Sequence, residues 1–111
     1  MQELPRNAPM SEYQSLIHRL ESHHGWLNVD LIHNCFLMGE EVGELFGAIR
    51  QYESYFQESG DTATKDNIAE EIVDVMNFLL AIANRLDIDV EDAFRRKNAR
   101  NFKRSWSNGN P

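Results

Sequence analysis

An all-α fold, with four helices per chain and a bundle completed by homo-oligomerisation, follows from three observations on the 111-residue sequence. No stretch alternates apolar and polar residues as a half-buried strand does. Apolar residues instead recur at helical spacing, in segments bracketed by residues that cap helices. The apolar arcs on two of these segments are also wider than the chain can cover by itself.

Residues 1 to 10, with Pro5 and Pro9, read as a flexible arm. Ser11-Glu12-Tyr13-Gln14 fits a capping box, in which the Ser hydroxyl and the Gln side chain satisfy orphan N–H groups. A first helix then runs to His24 and stops at Gly25. The second starts near Asn28 or Asp30 and continues to about Tyr55. Gln57 to Ala63, containing Ser59-Gly60-Asp61, is a loop. Thr64 caps a third helix reaching Leu86, and Asp89 caps a fourth that ends near Arg104. Residues 107 to 111 form a frayed tail, leaving one domain over residues 11 to 106.

On the third helix Ile68, Ile72, Val75, Met76, Leu79, Leu80, Ile82 and Leu86 fall on an arc of about 160°. The second has a similar arc from Leu31, Cys35, Met38, Val42, Leu45, Phe46 and Ile49. Two such helices leave apolar surface over, which a homodimer or a tetramer built as a dimer of dimers would bury. Gly39, Gly43 and Gly47 form a stripe along the second helix. Each costs ~1 kcal/mol against Ala, so close helix–helix approach is the expected use. Cys35 lies on the apolar arc and reads as a small core residue.

Composition excludes several classes. The net charge is −7, with six of eleven basic residues between Arg95 and Arg104. Between Asn34 and Asn84 stand ten acids and only Arg50 and Lys65 as bases. That is not the broad basic face of a nucleic-acid binder. No apolar run approaches the ~20 residues of a membrane span, and the N-terminal residues lack the pattern of a signal peptide. With a single cysteine, the expectation is a cytoplasmic protein.

The chemistry lies in two acidic segments, Glu40-Glu41-Val42-Gly43-Glu44 and Glu70-Glu71-Ile72-Val73-Asp74. Glu41 and Glu44 are three apart, hence about 60° apart on one helix face, and Glu71 and Asp74 likewise. None of the four has a basic residue three or four positions away, so a solvated, salt-bridged helix face fits them poorly. In an antiparallel hairpin both pairs face one cleft. Two carboxylates ~6 Å apart repel by ~3 kcal/mol at an effective dielectric of ~20. The cleft therefore binds cations, or some carboxyls stay protonated, or they splay apart. Cation binding is the favoured reading. An all-oxygen donor set without His or Cys suits Mg²⁺, or Mn²⁺ in its place, rather than zinc or a di-iron centre. Mg²⁺ is typically shared with substrate phosphates, which suggests phosphate chemistry with an activated water.

These residues resemble the MazG-like, all-α nucleoside triphosphate pyrophosphohydrolases. The resemblance rests on Glu-Glu-x-x-Glu at 40, 41 and 44, on Glu-x-x-Asp at 71 and 74, and on the 26 residues between Glu44 and Glu71. A third element, residues 97 to 106, resembles the family's closing Lys-x-x-x-Asn-x-x-Arg-x-Trp. The resemblance implies cleavage of a (d)NTP to (d)NMP and pyrophosphate, a dimeric assembly, and a housecleaning role against unwanted nucleotides. It makes Glu41, Glu44, Glu71 and Asp74 the metal ligands, and Glu40, with Glu41, a candidate for activating water. Lys97, Asn101 and Arg104 share one face of the fourth helix and become candidates for phosphate or sugar. Asn77, Asn34 and Trp26 are candidates for lining the cleft, Trp26 being either a base stacker or a packing wedge. Phe78 reads as core packing. The alternative is a non-catalytic helical module whose acidic cleft docks a basic partner.

Overall fold

The computed structural model describes residues 3–56 and 63–106. Residues 57–62 of the expected loop, and the tail at 107–111, lie outside the described residues. Four helices are formed: α1 (Met10–His24), α2 (Leu31–Tyr52), α3 (Lys65–Arg85) and α4 (Val90–Lys103). Among the described residues there is no strand, and no helix is long and apolar enough to cross a membrane.

Three of the four helix starts use the expected side chains. Asp30 Oδ1 accepts from the His33 N–H at 2.8 Å, and Asp89 Oδ1 from that of Asp92 at 3.0 Å. Thr64 and Asn67 form a reciprocal capping box. Gly25 ends α1 in the left-handed region, φ 75°, where no Cβ penalty applies. Two boundaries differ from expectation. Helix α2 stops at Tyr52, because Ser54 and Phe56 take positive φ and the Arg50 guanidinium ties down the carbonyls of Tyr55 and Phe56.

The start of α1 differs more. It begins at Met10 with Pro9 as its cap and no side-chain capping bond, so Ser11 lies within the first turn and makes no capping box. Glu91 of α4 accepts from the Met10 N–H instead. Gln14 is committed elsewhere: its Nε2 donates to Asn84 Oδ1 and the Ile88 carbonyl, while its Oε1 accepts from the Val90 N–H. One glutamine thereby ties α1 to the turn between α3 and α4.

Packing follows the order α2 on α3, α3 on α1, α1 on α4. The small core comprises Ile17, Leu80 and Ala81, flanked by Met10, Tyr13, Met76 and Val90. A bidentate Arg85–Glu21 ion pair, 2.7 Å at its shortest, braces the same α1–α3 junction. Arg85 also donates to the carbonyls of Trp26, Val29 and Ala81, so all five guanidinium N–H groups have partners.

The outer faces stay open. Phe36 is 69% exposed and Phe46 65%, and Ile72 and Leu79 each 51%. The radius of gyration is 17.4 Å, against ~13 Å for a close-packed chain of this length. Two expectations fail within the chain. Cys35 is exposed rather than buried, because the side of α2 covered in the chain is that of Asn34, Met38, Val42 and Leu45, where α3 packs. Nothing approaches within 4 Å of where a Cβ would stand on Gly39, Gly43 or Gly47, so the stripe serves no close helix contact here.

Candidate metal centre and adjoining cavity

The α2–α3 hairpin brings the two acidic segments together. One carboxylate oxygen from each of Glu41, Glu44 and Glu71 lies within 4.8 Å of the others. Asp74 stands close enough for its charge to act on both Glu41 and Glu71. Glu40 is exposed and outside this group, as its ~100° offset from Glu41 requires.

Electrostatics mark the group as incomplete. Glu41 Oε2 and Glu71 Oε2 are shielded from solvent and have no hydrogen-bond partner. Burial, and then the charge of Glu44, push the Glu41 carboxyl above the ordinary carboxylate range. The same two causes, in the same order, raise Glu71. Among the described residues no ion pair reaches any of the four acids. Shielded acceptors without donors are costly unless something positive meets them, and hard carboxylate oxygens suit Mg²⁺ or Mn²⁺. The residues therefore fit such an ion.

Beside the acids lies a cavity of about 230 Å³. Leu37 stands one turn from Glu41, and Asn77 and Phe78 one turn from Asp74, so the cavity adjoins the acidic group along both helices. Trp26, Asn34 and Asn77 all line it; of the sequence candidates for substrate, these three are brought together. His33 is not among its lining residues and pairs with Asp30 at the surface. Phe78 lines the space rather than serving only as packing. Sequence reasoning missed the contribution of α1, whose Ile17, Leu20 and Glu21 close one side. Leu37 alone had a local signal, four residues before Glu41.

Lys97, Asn101 and Arg104 are placed otherwise. Helix α4 packs on α1, and no ion pair among the described residues joins it to the four acids. Lys97 is exposed on a shallow depression with Arg96 and Arg100. Asn101 Oδ1 accepts from Arg104 at 3.5 Å, the Trp106 indole N–H reaches the Asn101 carbonyl at 3.5 Å, and the Arg104 guanidinium lies 4.2 Å over the Trp106 ring. The spacing Asn-x-x-Arg-x-Trp thus builds a local knot at the end of α4, with the cation stacked on the indole.

A family model described as phosphoribosyl-ATP pyrophosphohydrolase matches residues 11–101, from the first turn of α1 into the last of α4. No curated protein and no solved structure matches the chain. With that match over most of its length, the chain belongs to the phosphoribosyl-ATP pyrophosphohydrolase family, within the MazG-like nucleotide pyrophosphohydrolase superfamily.

Proposed function

We propose that this protein is a Mg²⁺-dependent nucleoside triphosphate pyrophosphohydrolase, cleaving between the α and β phosphates to give a nucleoside monophosphate and pyrophosphate. Its basis is the convergence of three glutamates, two with unpaired shielded oxygens, beside a cavity lined by Trp26, Asn34, Asn77 and Phe78. Family membership supports pyrophosphohydrolase chemistry. Glu41, Glu44, Glu71 and Asp74 hold the ion. Mg²⁺ bound there supplies positive charge that offsets the triphosphate and favours ionisation of water. Glu41 orients the attacking water and takes up its proton, a part that Glu40, exposed and outside the group, is not placed to share. The base enters the cavity, where its ring meets Trp26 and Phe78.

The phosphates need more cations than one ion. Lys97 and Arg104, with Asn101, supply them from α4 of a second copy, since α4 within one chain is held on α1. The exposed Phe36, Phe46, Ile72 and Leu79 support such a homodimer or a tetramer. Cleansing of the nucleotide pool in the cytoplasm is the role this chemistry suits, with neither nucleic acid nor membrane as partner.

The family description favours a second reading, phosphoribosyl-ATP as substrate. Both substrates carry a 5′ triphosphate, so the acids serve either. They differ by a ribose phosphate on the base, a dianion that calls for a cation. The residues lining the cavity include none, and the nearby Arg85 has every N–H committed. Pyrophosphate release from a panel of triphosphates and from phosphoribosyl-ATP, with Mg²⁺, decides between them. Turnover of simple triphosphates is expected; turnover of phosphoribosyl-ATP alone would replace the first reading with the second.

A further inference from the structure

The hydrogen-bonding groups that the cavity offers to a ligand are few. Of its polar lining residues, Glu21 has both oxygens on Arg85. Asn77 has no partner among the described residues. Asn34 is only 3% exposed, and its Nδ2 donates to the carbonyls of Val29 at 3.0 Å and Asp30 at 2.8 Å. Two carbonyl acceptors fix which end of that amide is nitrogen, because an oxygen turned toward them would find no donor. What Asn34 has left is Oδ1, an acceptor with no donor among the described residues, on a side chain that lines the cavity.

We infer that Asn34 Oδ1 is the specificity-determining group of this cavity, a fixed acceptor that selects a base carrying an exocyclic amino group over its keto counterpart. This rests on the cavity holding the base, as proposed above. An amino group of cytosine or adenine donates to Oδ1, and the amide of Asn77, free to present either end, meets the adjoining ring nitrogen. A keto oxygen in the same place sets two acceptors against each other. Asn34 cannot turn away, being pinned by two backbone carbonyls, and apart from Asn77 and the committed Glu21 the wall is formed by apolar and aromatic residues such as Trp26, Leu37, Phe78 and Ala81. A buried acceptor left without its donor discriminates far more strongly than a missing methylene does.

The test needs no mutant that risks misfolding. Pyrophosphate release is measured with Mg²⁺ on two matched pairs, CTP against UTP and ATP against ITP, which differ at the amino or keto position. Calorimetric titration with the α,β-methylene analogues of the same four reports binding with cleavage removed. The amino member of at least one pair should be favoured by about tenfold or more in kcat/KM and in affinity. Cleavage without amino preference, or with keto preference, overturns the role of Asn34 and leaves the hydrolase reading standing. Amino-selective binding without cleavage does the reverse. Neither binding nor cleavage overturns both.

Discussion

Two acidic regions along α3 meet opposite fates. At the α1–α3 junction Glu21 is buried, yet both of its oxygens rest on Arg85, whose remaining donors are spent on backbone carbonyls. At the middle of the hairpin one oxygen each of Glu41 and Glu71 is shielded beside Glu44 with no donor to accept from. The first arrangement is what burial of a charge requires for folding. The second makes sense only if folding is not its sole purpose. Completeness of pairing, rather than acidity or burial, separates the structural acid from the candidate ligands.

The sharpest way to break that contrast is to neutralise one acid from each region. Glu41→Gln should bring pyrophosphate release down to background, a loss of ~100-fold or more, since even outer partners of a metal are worth ~10–100-fold. Its ion-free form should melt no lower than the parent by circular dichroism. Retained activity would remove Glu41 from the site.

Next in size is the brace. Arg85→Met leaves Glu21 charged and buried, which costs ~3–5 kcal/mol. A fall of ~10 °C or more in melting temperature is expected from a domain of this length, and a change of a degree or two would show that the pair stabilises little.

Metal comes third. Mg²⁺ at ~100 times its Kd should stabilise the fold by ~2.7 kcal/mol, read as an upward thermal shift that Glu41→Gln lacks. No shift in the parent favours a cleft for a basic protein partner over a metal centre.

The smallest effect is in pH. Glu41 and Glu71 have carboxyls raised in the folded state, so folding favours their protonated forms. Their contribution to ion-free stability is fully present below the ordinary carboxylate range and is lost as pH rises through their folded values. Melting of the ion-free protein should therefore rise on acidification from neutrality through this window, relative to a Glu41→Gln/Glu71→Gln variant. The stabilisation by Mg²⁺ should shrink over the same interval, as protons compete for the oxygens.

Much of this was legible in the sequence, for local reasons. Asp30, Thr64, Asp89 and Gly25 act within one turn of their own positions, so their roles follow from a few neighbouring residues. The acids were legible because i, i+3 spacing without basic neighbours has a single geometric meaning on a helix. What escaped lies far apart in the chain. Glu21 and Arg85 are 64 residues apart, and Gln14 meets Val90 at a separation of 76; no periodicity encodes either. Ser11 and Cys35 show the converse error. Each had a plausible local reading that tertiary packing overruled, Glu91 taking the place of the serine cap and the neighbouring helices leaving the cysteine uncovered.

Asn34 carries one consequence for how such a protein diversifies. Its nitrogen holds the entry to α2 while its oxygen faces the cavity, so a lineage that replaced it to accept another base would first have to find a new anchor for that turn. A shift in diet is then cheaper at Asn77, which supports nothing else among the described residues, and drift should be tolerated there before it reaches its neighbour across the hairpin.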